Sequence, residues 1–356
     1  MLPTLTPEQR DAADAGARPL IDVRNLRVQF DGDDGLFRAV DGVSFQVFPG
    51  QTLGIVGESG CGKSVTARSI LRIVDRQCDV SGEVHFRGRQ GVQDLMRLKP
   101  GSRQMRKIRG REIALVFQEP MTSFSPVHTI GNQIIETIRL HTPMSTADAR
   151  RKAIEQLTRV RTPHPEHILD QYAWQLSGGL RQRAMIAMAL ACSPEVLIAD
   201  EPTTALDVTT QAQILELLGG LLRERGMALM LITHDLGVIA EMADVVLVMY
   251  LGTIVEQGPV DAIFHDAKHP YTQALLRSIP SVTATPRSRL TTLRGSVPHP
   301  MNRPGGCPFH QRCPSVITGV CDRVVPARHV VGPGHAVSCH LHVNDAGTPV
   351  ESSDAF

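Results

Sequence analysis

Leu53-Gly54-Ile55-Val56-Gly57-Glu58-Ser59-Gly60-Cys61-Gly62-Lys63-Ser64 is the stretch on which the fold turns. A short apolar run gives way to a glycine-rich turn that ends in Lys-Ser. From Gly57 onward it fits G-x-x-x-x-G-K-[ST], a phosphate-binding loop. The glycines let the backbone curl so that its N–H groups face an anion. A helix expected from about Ser64 to Arg72 adds the positive end of its dipole. Lys63 would reach the terminal phosphates. Ser64 would offer its hydroxyl to Mg2+, which keeps octahedral geometry at ~2.0–2.1 Å. From average residue usage the pattern arises by chance in roughly one chain of this size in a hundred. Its place between a strand and a helix is the context that the chemistry requires.

Working outward, three more apolar runs end at polar residues. Ile113 to Phe117 is followed by Gln118, Val196 to Ala199 by Asp200 and Glu201, and Ala228 to Ile232 by Thr233 and His234. Helical patterns such as Arg181 to Ala191 and Thr209 to Arg225 lie between them. Alternating buried strands and helices predict an α/β layer fold with a mainly parallel sheet. Ligands of such sheets sit beyond the carboxyl ends of the strands. An Asp200 carboxylate there can hold Mg2+ through water. Glu201 can polarise an attacking water, and Gln118 and His234 can position that water and touch the γ-phosphate. Each residue alone would be an ordinary loop start; the set is what points to a site.

A second segment, Leu176-Ser177-Gly178-Gly179-Leu180-Arg181-Gln182-Arg183, places Ser and two glycines directly before a helix. That makes a second anion-binding helix start. One chain with one phosphate loop does not need two. Two chains arranged head to tail would use both, each closing the other's nucleotide.

The order of phosphate loop, Gln118, LSGG, Asp200-Glu201, Ala205-Leu206-Asp207 and His234 resembles the nucleotide-binding domain of ABC transporters, over roughly residues 20 to 260. The resemblance implies a P-loop ATPase core with an antiparallel β subdomain and a helical subdomain at about 121–180. It implies that ATP and Mg2+ are bound by Gly57, Glu58, Ser59, Gly60, Cys61, Gly62, Lys63, Ser64 and Val65. Phe30 would stack on adenine. Lys63, Gln118, Glu201 and His234 would serve catalysis, and Ser64, Gln118 and Asp200 would serve Mg2+. Ser177, Gly178, Gly179 and Asp207 would act across a dimer interface. Leu180 departs from the Gln common in the family but leaves the Ser and Gly positions intact. The implied partners are two transmembrane permeases, a second ATPase subunit or a copy of this one, and an extracytoplasmic substrate-binding protein. The implied location is the cytoplasmic face of the membrane.

Composition agrees with that setting. The chain has 356 residues and a formal net charge of +1, with 42% apolar and 4% aromatic residues. So small a charge argues against a long-range nucleic-acid surface. The local basic stretch with Lys99, Arg103, Arg106, Lys107 and Arg109 reads as a solvated face. No apolar run approaches the ~20 residues of a membrane-spanning helix, and Met1 to Pro19 lacks the apolar core of a secretory signal. The seven cysteines are therefore expected to be reduced unless they bind metal. Cys61 sits among positive dipoles that can lower a thiol pKa, although a tolerated small side chain is the plainer reading. Trp174 reads as a packing anchor.

We expect a tail at 1–18, the ATPase domain at 19–285, a Cys-rich extension at 286–343 and a tail at 344–356. His269-Pro270-Tyr271-Thr272 and Glu119-Pro120-Met121-Thr122-Ser123 resemble the peptide and nickel importer branch. That implies peptide cargo first, and nickel or related solutes second. The extension carries Cys307, Cys313, Cys321 and Cys339 as C-x5-C-x7-C-x17-C. Pro308, Pro314, Pro326 and Pro333 predict little regular structure there. Four thiolates suit Zn2+ or an iron–sulfur cluster, and free thiols or disulfides stay open. Similar cysteines in the branch imply a 4Fe-4S cluster, with His310, His335 and His340 as accessory groups. The competing function, a soluble ABC ATPase acting on DNA or ribosomes, would call for long coiled coils or two ATPase domains. This sequence has one phosphate loop and no sustained heptads.

Overall fold

The computed structural model describes residues 18–32, 35–75, 77–204, 206–279, 293 and 295–342. Residues 1–17, Ala205, the first residues of the expected extension (286–292 and 294) and the tail at 344–356 lie outside the described residues.

Two long strands, β1 (Ile21–Gly32) and β2 (Gly35–Val47), precede the loop strand β3 (Thr52–Val56). With β4 (Cys78–Gly88) and β5 (Gly91–Asp94) they form an antiparallel sheet ordered β2-β1-β4-β5. The main sheet contains β6 (Ile113–Val116), β7 (Val196–Asp200), β8 (Ala228–Ile232) and β9 (Val245–Tyr250). Its parallel part runs β9-β3-β8-β7-β6. All four predicted apolar runs are strands of this part, and every residue of β3, β7 and β8 is buried, as a parallel sheet covered on both faces requires.

The period of two divides these strands between two cores. Leu53, Ile55, Ile198 and Met230 face the antiparallel sheet and the helix Lys63–Ile70. Val56, Ala199, Leu231 and Val248 face the helices that lie between β6 and β7 in sequence. Gly54 on β3 lets the helix Leu236–Met242 approach: a Cβ there would sit 2.7 Å from Ile239 Cδ1.

Between β6 and β7 the helices Ile130–His141, Thr146–Arg159, Pro165–Leu169 and Gly178–Leu190 pack together. Their starts follow from side-chain caps. Thr129 accepts from Asn132 N–H, Ser145 from Asp148 N–H and Ser177 from Leu180 N–H. Pro165 takes the first helical turn, where its missing N–H costs nothing. Ala149, Ala153 and Leu157 form the buried stripe of Thr146–Arg159.

After β9, strand β10 (Thr253–Pro259) returns antiparallel, followed by the helices Val260–His265 and Pro270–Arg277. The extension corrects the expectation of little regular structure. β11 (His329–Gly332) and β12 (His335–Val337) form a hairpin, and β12 adds to β10 through Glu256↔Val337 and Gln257↔Ala336. The prolines do not prevent this, because Pro333 and Gly334 occupy the turn, with Gly334 at φ 60°. Cys307, Phe309 and Cys321 join the same apolar core as Tyr250 and Tyr271. Burying a side chain such as Phe309 contributes about 1.5–3 kcal/mol, so the extension is docked onto the main-sheet core by packing.

Candidate functional site

The loop after β3 is shaped by close approach. Gly57 has φ 151°, and a Cβ there would lie 2.2 Å from Met249 O; at Gly62, φ 101°, it would lie 2.4 Å from Ala39 O. The loop is thus pressed between β9 and β2, and only glycine fits at both ends. Gly62 caps the helix Lys63–Ile70. Lys63 is buried, and its Nζ donates to Gly57 O at 2.7 Å and to Glu58 O at 3.1 Å.

A cavity of about 330 Å³ opens over this loop. Ser59, Gly60, Cys61, Gly62, Lys63, Ser64 and Val65 line it, together with Phe30, Gln118 and Glu201. Glu58 does not. Phe30 is stacked on Phe37, with centroids 4.9 Å apart and planes at 5°, so two rings form the apolar end.

Asp200 is fully buried at the end of β7. Its Oδ1 accepts from Ser64 Oγ at 2.7 Å, and Arg68 approaches Oδ2 at 3.5 Å. Burial pushes its carboxyl up, against the pull of Ser64, Arg68 and Lys63. Oδ2 makes no hydrogen bond. A buried carboxylate oxygen without a donor, beside a hydroxyl and a phosphate loop, fits a hard cation such as Mg2+.

Glu201 comes next, in the left-handed region at φ 48°. For a residue with a Cβ this costs on the order of 1–3 kcal/mol and is typical of functional turns. Its Oε2 accepts from Gln118 Nε2 at 2.9 Å and from Thr204 Oγ1 at 2.8 Å, and His234 Nδ1 stands 3.4 Å from Oε1. The ends of β6, β7 and β8 therefore converge on one carboxylate at the cavity. Such a group, held by donors and open on one side, can orient or deprotonate water.

Ser177, Gly178 and Gly179 lie elsewhere and do not line the cavity. Ser177 and Gly178 are exposed, and Gly179 packs near Thr210, where a Cβ would meet Cγ2 at 2.8 Å. Asp207 caps the helix Val208–Arg225, accepting from Thr210 N–H at 3.0 Å and Thr210 Oγ1 at 2.7 Å. Those bonds hold its carboxyl below the usual range. The two segments thus form one exposed patch, separate from the phosphate loop of their own chain.

One expectation needs revision. Trp174 is 58% exposed and stacked on Tyr172, not a packing anchor; the short turn Ala173–Gln175 buries Ala173 and turns the indole outward. Cys61 is buried, and burial raises its thiol pKa despite Lys63, which favours the plainer reading of a tolerated small side chain. At the extension, Cys307, Cys321 and Cys339 are buried and Cys313 is partly buried, all as free thiols. Burial and their mutual charges raise the Cys307 thiol to about 11. Among the described residues no group of three or more Cys, His, Asp or Glu is arranged to hold a metal ion. The accessory histidines have other partners: His310 Nδ1 meets Cys307 O, His340 Nε2 meets Val324 O, and His335 Nε2 meets buried Glu256 at 2.8 Å.

Sequence reasoning missed Phe37, Thr204 and Arg68 in the site, and above all Arg312. Its guanidinium meets both Glu58 carboxylate oxygens, at 2.6 and 3.0 Å, across 254 residues of chain. Nothing local in the sequence signals that pair. Tyr271 lies in a motif that was noticed, and its hydroxyl accepts the Glu58 N–H at 2.9 Å.

Comparison with known proteins agrees with this geometry. Residues 40–204 match the ABC transporter family, and residues 255–321 match the oligopeptide/dipeptide transporter C-terminal region. The chain is 53% identical to the probable peptide ABC transporter ATP-binding protein y4tR of Sinorhizobium fredii, over 90% of this chain and 94% of that one. It is 47% identical to the dipeptide transport ATP-binding protein DppD of Escherichia coli, over 93% of this chain and 99% of that one. Among solved structures it resembles the dimeric ATP-binding cassette MJ0796 in a post-hydrolysis state bound to ADP and Pi. The TM-score is 0.60 at 26% identity, covering 67% of this chain and 98% of that one. Among the described residues no helix is long and apolar enough to cross a membrane. The phosphate loop, the carboxylate gathered by three strand ends and the matched C-terminal region lead to one assignment: the chain belongs to the ATP-binding subunits of ABC transporters, in the oligopeptide/dipeptide transporter family.

Proposed function

We propose that the chain binds and hydrolyses ATP at the cytoplasmic face of the cell membrane, as a peripheral subunit, to energise import of oligopeptides or dipeptides. The observation that carries the ATPase part is Glu201, held by Gln118 and Thr204 at the mouth of the phosphate-loop cavity. Glu201 takes a proton from water as the water oxygen attacks the γ-phosphorus, and the bond to ADP breaks. Lys63 and the loop N–H groups hold the phosphates, His234 contacts the γ-phosphate and Phe30 faces the adenine. Ser64, Asp200 and Gln118 would hold Mg2+, which neutralises phosphate charge when bound.

Ser177, Gly178, Gly179 and Asp207 serve the nucleotide of a second ATPase subunit. Their exposure away from the cavity of their own chain supports this, as does the dimeric state of the similar cassette. ATP acts through its differential affinity for the closed pair, and closure switches two permease subunits fed by an extracytoplasmic binding protein. We take 19–285 as the ATPase domain, with its helical part at about 121–180, and 286–343 as its extension. The cargo assignment rests on the matched C-terminal region and on the names of the relatives.

For the four cysteines the narrower proposal is a bound metal centre, 4Fe-4S before Zn2+. Their mutual influence supports proximity, whereas their arrangement is not that of a metal site. Iron, acid-labile sulfide and zinc assays on anaerobically purified protein test it, and absence of all three removes it. The transporter reading is tested by a mild-detergent pull-down from native membranes. Two polytopic permeases beside the chain support it; recovery with ribosomes or DNA-processing proteins alone overturns it. Uptake of labelled di- and oligopeptides by cells lacking the chain tests the cargo, with nickel uptake as the rival outcome.

A further inference from the structure

Glu58 is the one residue between Gly57 and Val65, apart from Gly57 itself, that does not line the cavity, yet it is held at three points. Its N–H is accepted by Tyr271 Oη at 2.9 Å. Its carbonyl accepts from Lys63 Nζ at 3.1 Å. Its carboxylate is gripped in a bidentate pair by Arg312, at 2.6 and 3.0 Å. Neither Tyr271 nor Arg312 belongs to the strand–loop–helix unit. Tyr271 opens the helix Pro270–Arg277, and Arg312 is carried by the extension, directly before Cys313.

Arg312 is itself firmly placed. Its side chain is 5% exposed. The guanidinium lies 5.8 Å from the centroid of Tyr250 and 6.0 Å from that of Phe309, and it donates to Tyr250 Oη at 3.3 Å and Gly295 O at 3.4 Å. Tyr250, Tyr271 and Phe309 form one aromatic cluster, with ring centroids 4.7 to 5.3 Å apart. The bidentate Arg–carboxylate geometry is the strongest form of such a pair, and removal of one partner leaves the other poorly compensated.

We propose that Arg312 and Tyr271 are positioning residues for the phosphate-binding loop, so that the C-terminal extension sets the ATP affinity of the site through Glu58. The link to the nucleotide is Lys63. Its amine uses the Glu58 and Gly57 carbonyls as its resting contacts, so the placement of Glu58 fixes where that amine starts. A loop held in its binding shape from behind loses less freedom when phosphate arrives, and that gain appears as affinity. The contact is made equally in the ground and transition states, so it governs KM and Kd and leaves kcat nearly unchanged. The proposal rests on the ATP-binding reading above.

The test uses the purified full chain with R312Q, R312K, E58A, Y271F and the R312Q/E58A double variant. Four quantities are read: Kd for a fluorescent ATP analogue, KM and kcat for ATP, and the midpoint of thermal unfolding. R312Q and E58A should each raise Kd and KM about tenfold, with kcat within about twofold. The double variant should be no weaker than the weaker single, because both remove one contact. R312K, which keeps the charge but not the fork, should fall between wild type and R312Q. A lowered melting midpoint with Kd and KM unchanged would show a purely structural contact and overturn the proposal. Multiplying losses in the double variant would overturn it equally. If R312Q does not fold, E58A and Y271F carry the test, since the Glu58 side chain is a quarter exposed. A wild-type chain that binds ATP but does not hydrolyse it would count against the ATPase reading, and Kd would still decide the positioning role.

Discussion

Gln118 Nε2 donates to Glu201 Oε2 at 2.9 Å, tying the residue beyond β6 to the residue beyond β7. The two are 83 positions apart in sequence, separated by the helices that lie between β6 and β7. A displacement of those helices that carried Gln118 with it would pull directly on the Glu201 carboxylate. The left-handed backbone at Glu201 and the Thr204 bond hold the other side of the same group.

Glu201→Gln should lower the rate of ATP hydrolysis about 10²–10⁴-fold, the range for losing a general base. The amide keeps an oxygen for Gln118 and Thr204, so ATP affinity should stay within about threefold. Phosphate release and equilibrium ATP binding, measured on the same preparation, separate the two effects. Hydrolysis within tenfold of wild type would remove Glu201 from the proton-transfer role.

Ser177→Arg places a large cation on the exposed patch beside Asp207, far from the cavity of its own chain. ATP binding by the isolated chain should change less than about twofold. Hydrolysis should fall at least about a hundredfold, as it does when a preorganised donor to the transferring group is lost. A parallel loss of ATP binding in the isolated chain would place the segment in its own chain's site and contradict the head-to-tail reading.

The parallel core was legible because its strands are buried on both faces, so Leu53–Val56 and Ala228–Ile232 read as unbroken apolar runs. The residues gathered at the strand ends were legible because Gln118, Glu201 and His234 each stand within two residues of such a run. The hairpin at β11 and β12 was hidden because its prolines suggest irregular chain, yet one of them sits in the turn, where no ladder bond is needed. Trp174 was misread because an aromatic beside a helix start carries no information about which way a short turn will face it. Arg312 was invisible for a simpler reason: its partner Glu58 is reached only through tertiary packing, and neither residue stands in a local pattern that names the other.

Gly57→Ala should abolish ATP binding at millimolar concentrations. The new Cβ would lie 2.2 Å from Met249 O and 2.8 Å from Cys61 Sγ. The first of these is backbone on a central strand and cannot yield, so the loop must move. The φ of 151° adds strain for any side chain. Circular dichroism should still report a folded chain, since the damage lies in the loop and not in the sheet. Retained binding would mean that β9 tolerates a displaced loop.

His269 supplies a pH dependence that can be assigned to one side chain. Burial lowers its pKa from 6.5 to about 4, with Glu256 pulling upward and His342 downward. Its Nδ1 accepts the Tyr271 N–H at 3.0 Å and caps the helix Pro270–Arg277, a role that needs the neutral ring. As pH falls through 6.5 the unfolded chain takes up this proton and the folded chain does not, until about pH 4. Stability contributed by the neutral ring is therefore complete above pH 6.5 and lost across that window, to a total on the order of 3 kcal/mol. Glu256 acts lower. Burial alone would raise its carboxyl, but bonds from His335 and from the N–H groups of Lys268 and His269 outweigh that and hold it below the usual range. Its contribution is present above the ordinary carboxylate pKa and is lost only as pH drops beneath it. Urea unfolding of the nucleotide-free chain between pH 7 and 4.5 isolates the histidine, by comparing wild type with His269→Asn, whose amide oxygen keeps a cap for Tyr271. The variant should lose less stability over that range than wild type, by more than about 1 kcal/mol. Identical slopes would mean that His269 takes up its proton without disturbing the fold.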